Sequence, residues 1–260
     1  MATFAKEFLA LQDSILLKAY HRDLGATCAC GKFAGLYRCA GIEHCFDNSL
    51  YCCNCIVQVH SSGSHPFHRI EKWTGSHFEA TSLNDLGYLL HLGHHGQPCP
   101  NVSSKRSPRS MTIGHTNGYH TLCVHFCACH LTLSEPLQLC NHELFPASMN
   151  QPQSAFTFSL LDLYHYITLA SKGSLYDFNA SLVEMTNPAF PQDHRYYELG
   201  RVTRVWTHLA SVRRRGQAHG IDDFIPSRRK GSLAIRCPSC PEIHFNVDLA
   251  EILSAGPFDL

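Results

Sequence analysis

The sequence predicts an α+β fold: a small module built on chelating side chains, then a mixed region of short strands and about three helices. Three observations carry that expectation. Between Cys28 and His68, seven cysteines and four histidines crowd into about forty residues. From Gly118 to Cys127 the order GYHTLCVHFC alternates as a strand does, and beyond Pro152 the apolar period lengthens to that of helices. Finally, Cys127-Ala-Cys129 and Cys237-Pro-Ser-Cys240 are close pairs, each behind a predicted strand.

The first element, residues 1–23, reads as an amphipathic helix, with Phe4, Phe8, Leu11 and Ile15 at helical spacing. Lys6, Glu7, Asp13 and Lys18 interrupt its apolar residues, so it fits neither a signal peptide nor a membrane span. Residues 24–72 form the chelating module. Its donors run Cys28-x-Cys30, Cys39 and Cys45, Cys52-x2-Cys55, then His60 and His68. Eight ligands make two tetrahedral zinc sites. The order suggests interleaving: Cys28, Cys30, Cys52 and Cys55 hold one ion, while Cys39, Cys45, His60 and His68 hold the other. His44, Cys53 and His65 remain further donors among which the ligand choice stays open. A disulfide framework would need an oxidising compartment, and the interspersed histidines favour metal. A module this poor in apolar core depends on its metal, worth roughly 10–16 kcal/mol per structural site.

Residues 73–247 form the mixed region, and 248–260 a tail. Thr81 to Leu92 reads as extended chain and a turn around Asp85-Leu-Gly87; Asn101 to Ser110 reads as an exposed loop. Thr116-Asn-Gly118 is a turn into the alternating strand. Phe156 to Ser171 is apolar around most of its circumference, as a buried helix would be, and stops at Lys172-Gly173. Leu175 to Met185 is a second helix, ended by Asn187-Pro188. A third runs from an Asp193 cap to about Arg215, with Leu199, Val202, Trp206 and Leu209 on its apolar face and Gly216 as its stop. Gly231 to Ile235 is a short strand.

Neither Cys127-Ala-Cys129 nor Cys237-Pro-Ser-Cys240 completes a tetrahedron alone, so the two pairs are expected to meet in a third, four-cysteine zinc site. Cys99, Cys123 and Cys140 read as buried small hydrophobes, and His91, His94 and His95 as a turn with partly exposed rings.

Formal charge is zero and charged residues make up only 16% of the chain, a globular composition. The cations are nevertheless unevenly spread: Arg195 to Arg236 holds ten Lys/Arg against three Asp/Glu. On the third helix Arg201, Arg204, His208, Arg213, Arg214 and Arg215 are the candidate nucleic-acid contacts.

These pieces, in this order, resemble the CxC-like cysteine cluster domain found upstream of the catalytic domain in Kyakuja–Dileera–Zisupton (KDZ) transposases. The carriers, over about residues 4–247, include Gly35-Leu-Tyr-Arg-Cys39, Cys52-Cys-Asn-Cys55, His65-Pro-Phe-His-Arg-Ile-Glu-Lys-Trp73 and Ser82-Leu-Asn-Asp-Leu-Gly87. They continue with Leu92-Gly-His94, Cys99-Pro100, Asn117-Gly-Tyr-His120, Phe126-Cys-Ala-Cys129, Leu144-Phe-Pro-Ala147, Leu169-Ala-Ser-Lys172, Trp206-Thr-His-Leu209 and Cys237-Pro-Ser-Cys-Pro241. The sequence departs from the family's usual pairs at Cys28-x-Cys30 and at the widened Cys39-x5-Cys45. In the family an RNase H-like core follows the last pair; here twenty residues follow Cys240. The resemblance implies an accessory domain without that core, acting in the nucleus on DNA.

Two other readings compete. The Cys28 to His68 order also resembles B-box and ZZ modules, which implies a protein-interaction adaptor. An enzyme is not expected. The proposed zinc sites are closed, no His-Glu-x-x-His occurs, and His77-Phe-Glu79 matches the short element of zinc deaminases without their Pro before Cys-x-x-Cys, since Arg236 precedes Cys237. Neither catalytic nor cofactor-binding residues beyond the zinc ligands are expected, nor a small-molecule substrate, a membrane or secretion.

Overall fold

The structure is a computed structural model that describes residues 2–19, 24–40, 49–61, 65–101, 107–129, 133–189, 191, 195–224, 248 and 250. It divides into two compact units, Met1–Thr203 and Arg204–Leu260.

The first unit opens with helix α1 (Ala2–Ala19), as its periodicity predicts. Its apolar residues are not covered: Phe4 is 69% exposed and Ile15 70%. No helix among the described residues is long and apolar enough to cross a membrane. Strand β1 (Tyr37–Cys39), helix α2 (Cys53–Val59) and strands β2 (Ile70–Trp73) and β3 (Phe78–Thr81) follow. The three strands form an antiparallel sheet in the order β1-β2-β3, with Cys39 opposite Ile70 and Ile70 opposite Thr81.

A second sheet is built from β4 (Leu89–Leu92), β5 (Arg109–His115), β6 (Gly118–Phe126), β7 (Leu144–Pro146) and β8 (Ser154–Thr157), in the order β4-β6-β5-β8-β7. Its centre is the β5–β6 hairpin, with His115 opposite Gly118 across the expected turn. Leu122, Val124 and Phe126 point inward while Cys123 and His125 stay half-buried, the period-two alternation of a strand with one covered face. Met111 and Ile113 repeat it on β5. Two pairings are parallel: β4 with β6, and β5 with β8. One core runs through both sheets, joining Ile56, Phe67 and Ile70 of the chelating module to Leu83, Leu92, Leu122, Val124 and Leu139.

Helices α3 (Glu135–Asn141), α4 (Phe158–Ser171) and α5 (Leu175–Thr186) complete the unit. Where the sequence predicts helix from Phe156, the chain is strand until Thr157, whose hydroxyl caps α4 by accepting from Leu160 N. Lys172, in the left-handed conformation, ends it. α4 is not buried all round: only Leu160, Leu161 and His165 are covered, and Leu169 is 61% exposed. α5 is capped by Ser174, which accepts from Asp177 N. It is held to β6 by Tyr119, whose hydroxyl donates to Asn179 Oδ1 at 2.7 Å.

Helix α6 (Tyr196–Arg214) crosses the division between the units. Leu199, Val202, Trp206 and Ala210 are its buried apolar residues, with Thr203 buried beside them; Leu209, expected on that face, is exposed. Steps of three, four and four residues keep Ala210 on the stripe, whereas Leu209 falls to one side of it. In the second unit Gly216 ends α6 at a φ of +73°, and the short helix α7 (Ile221–Phe224) follows. Against about three helices expected in the mixed region, the structure adds α3 and α7, of seven and four residues, too short to show a period. The strand expected at Gly231 to Ile235, and Asp193, lie outside the described residues.

Candidate metal centres

Three groups of cysteines and histidines converge, each with its ligand atoms within 4.8 Å of one another. The first is Cys28, Cys30, Cys52 and Cys55. A turn delivers Cys28 and Cys30: Gly31 N donates to Cys28 O at 2.7 Å, and Gly31 adopts a φ of +72°. Cys52 is the N-cap of α2 and Cys55 lies in its first turn, where unpaired backbone N–H groups favour thiolate. Cys30 Sγ and Cys52 Sγ stand 3.8 Å apart. Zinc with Zn–S bonds of about 2.3 Å needs a sulfur–sulfur edge of about 3.8 Å, whereas a disulfide needs about 2.05 Å. The spacing fits the metal.

The thiols of this group share protons unequally. Backbone N–H groups of Cys30 and Cys52 lower the Cys28 pKa to about 7. The neighbouring sulfurs of Cys52, Cys30 and Cys28 push Cys55 up to about 12. Negative charge thus builds up in one place until a cation displaces the remaining protons.

The second group is Cys39, His60 and His68. Cys39 closes β1, His60 caps the C-terminus of α2, and His68 follows a short turn at His65–Phe67. Helix α2 therefore serves both groups, its first turn facing one and its C-cap the other. His60 Nδ1 lies 2.9 Å from Ile56 O; a carbonyl only accepts, so Nδ1 carries the proton and Nε2 is left as ligand. His68 Nδ1 is 3.4 Å from Cys39 Sγ. Cys45, the expected fourth ligand, lies outside the described residues, as does His44. His65 sits beside the group, its ring 4.9 Å from that of His68 and its Nδ1 buried without a hydrogen-bond partner among the described residues.

The third group, among the described residues, brings the expected Cys127 and Cys129 to two donors the sequence reading left aside. Cys127 and Cys129 meet His94 and Cys99, and these four residues already make a complete set of donors. Cys237 and Cys240, expected to complete it, lie outside the described residues. Cys99 Sγ is 3.8 Å from Cys127 Sγ and 3.6 Å from Cys129 Sγ; His94 Nε2 is 3.2 Å and 3.3 Å from those two sulfurs. The group forms where β4 and β6 end side by side, Leu92 opposite Phe126, so the residues that follow each strand are delivered to one place. His94 and His95 take φ values of +46° and +54° to make the turn. Gly93 sits where a Cβ would stand 3.1 Å from Cys127 Cβ. Buried Gln138 of α3 grips the Cys127 backbone, accepting from its N–H at 2.8 Å and donating to its carbonyl at 3.2 Å. The Ala128 N–H lowers the Cys99 pKa, the nearby sulfurs raise Cys129 to about 11, and the Cys127 and Cys99 thiols raise His94.

Cys99 and His94, read from the sequence as a buried hydrophobe and a turn residue, thus belong to a candidate donor group. Cys53, Cys123 and Cys140 join none of the three groups among the described residues.

Of the basic residues on α6, Arg204, His208 and Arg214 are exposed. Arg201 is exposed too, though its Nη2 donates to Ala147 O at 3.0 Å. Arg213 lies over the Trp206 ring, 5.2 Å from its centre. Arg215 stands one residue past the helix and is half-buried. The expected stripe is thus shorter: Arg201, Arg204 and His208 share it, while Arg213 and Arg214 leave it by the helical turn.

Comparison with protein families matches residues 83–189, under half of the chain, to the CxC2-like cysteine cluster associated with KDZ transposases. That stretch contains the whole third group and neither of the first two. Comparisons with curated proteins and with solved structures gave no match.

Proposed function

We propose that this chain, whose residues 83–189 match a cysteine cluster associated with KDZ transposases, is a zinc-stabilised recognition module that binds DNA through α6. The observation that carries the zinc part is the pair of complete four-donor groups at tetrahedral spacing. Four protein donors leave no position for a water or substrate, which is the arrangement of structural rather than catalytic zinc. Cys45 is the proposed fourth ligand of the second group, bringing the complement to three ions. The DNA part is supported by the exposed cations Arg201, Arg204 and Arg214, with exposed His208 beside them on the helix, since phosphate neutralisation dominates nucleic-acid affinity. A nuclear setting follows from that reading.

A second reading, a protein-interaction adaptor, is favoured by α1, whose Phe4, Phe8, Leu11 and Ile15 are all exposed. Fluorescence anisotropy of labelled duplex DNA with the zinc-loaded chain separates the two. DNA recognition gives binding whose log affinity falls linearly with log salt. Absence of binding at low salt removes that reading and leaves the adaptor.

A further inference from the structure

Arg69 directly follows the donor His68, and it is a charge with little to balance it. Its Nη2 donates to the Asn117 carbonyl at 3.0 Å, while its Nε is buried with no acceptor among the described residues. None of the described carboxylates forms an ion pair with it. The guanidinium reaches this place because residue 118 is glycine: a Cβ there would stand 2.6 Å from Nη2, and the φ of +118° suits no other residue well. Asn117 is itself fixed, donating from Nδ2 to Phe67 O at 2.8 Å and accepting on Oδ1 from His120 Nε2 at 2.7 Å.

Beside this network lies a cavity of about 330 Å³, lined among others by Arg69, Thr81, Ser82, Asn84, His120 and Thr121. Its walls therefore carry a guanidinium, an amide and the Thr81 and Thr121 hydroxyls, beside the His68 and His120 rings. Asp85 lines it too, its Oδ2 accepting from Ser82 N and Oγ at 3.1 Å and 2.7 Å. A cation withdrawn from water without a counter-ion is costly, and a buried donor with no acceptor calls for one. The planar fork of arginine suits oxyanions, and several donors around one space suit a tetrahedral one better than a single carboxylate.

We propose that this cavity is a binding site for a phosphate group, held by the Arg69 guanidinium with the Asn84 amide and the Thr121 hydroxyl around it. The site is separate from α6 and does not rest on the DNA reading. Whether the phosphate is free or sits at the end of a nucleic acid is a matter of source, and the same experiment distinguishes them.

The test titrates the full zinc-loaded chain with inorganic phosphate and follows the broadening of the ³¹P resonance. The parent should show saturable binding, weakened at least about tenfold in Arg69→Gln, while Arg38→Gln, which alters an arginine paired with Glu71, binds as the parent does. Should Arg69→Gln fail to fold, Thr121→Glu serves: it keeps the Asn117 bond and sets a carboxylate at an exposed edge of the cavity, and it too should abolish binding. Competition by a 5′-phosphorylated but not a 5′-hydroxyl trinucleotide assigns a terminal phosphate. Competition by both assigns the phosphodiester, and by neither a free ion. No saturable binding by the parent, or equal binding by parent and Thr121→Glu, overturns the site.

Discussion

Leu92 stands opposite Phe126 in the parallel pairing of β4 with β6. Both strands end at that level, so His94 and Cys99 leave one strand where Cys127 and Cys129 leave the other. All four donors of the third group lie between His94 and Cys129. Native mass spectrometry of Cys99→Ser should therefore show one zinc fewer than the parent, and Cys240→Ser should show the parent's number. Loss of an ion from Cys240→Ser would restore the four-cysteine pairing that the sequence suggests.

Gln138 holds the third group from behind, satisfying both backbone polar groups of Cys127. Gln138→Ala removes both of these hydrogen bonds from the buried Cys127 backbone, at about 1–3 kcal/mol. Chemical denaturation should register that loss, and a chelator should strip zinc from the third group faster than from the first. Equal stripping rates would mean that Gln138 supports the fold and not the group.

The second group asks which residue stands fourth. Two thiolates and two imidazoles neutralise the dication, which favours Cys45 over His65. Cys45→Ser should lose one ion and His65→Ala should keep all. The opposite result would make His65 the ligand, as its partnerless Nδ1 would then explain.

What the sequence made legible was local. The close pairs Cys28-x-Cys30 and Cys52-x2-Cys55 show in the spacing alone, whereas helix α2, which starts at the second pair, does not. Strand β6 declared itself by alternation and its hairpin by Asn117-Gly118. The third group was hidden because parallel strands carry no turn signal between them. Cys99 thus looked solitary, and His94 lay in a turn whose left-handed backbone no pattern announces. Its one trace was that Leu92-Gly-His94 and Cys99-Pro100 both fall among the motifs shared with the family. The last two residues of strand β8, Phe156 and Thr157, read as the start of α4 because four consecutive buried residues, Ser154 to Thr157, have no period of their own.

Zinc affinity of the first group should rise with pH. Without metal, Cys55 keeps its proton to about 12, so at neutral pH binding must expel it. Each proton expelled contributes about tenfold in apparent affinity per pH unit below its pKa. Competition with a chromophoric chelator, corrected for the chelator's own protonation, should thus show at least about tenfold tighter binding at pH 7.5 than at pH 6.5. Acid should release zinc and alkali retain it. A flat profile would mean that the thiols are already ionised before metal arrives.

On α6 the cations should divide by what they touch. Arg204 and Arg214 are exposed and make no hydrogen bond or ion pair among the described residues, whereas Arg213 covers Trp206 and Arg201 donates to Ala147 O. If Arg204 and Arg214 each neutralise one phosphate, Arg204→Ala with Arg214→Ala should lower the slope of log affinity against log salt by about 1.8. Stability should hold within about 0.5 kcal/mol, as for exposed substitutions generally. Arg213→Ala should behave differently, losing about 0.5–1 kcal/mol of stability with the cation–π contact. Anisotropy titrations at several salt concentrations, alongside urea melts of the same proteins, separate the two effects. An unchanged slope in the double variant, with DNA still bound, would move the contact off this helix.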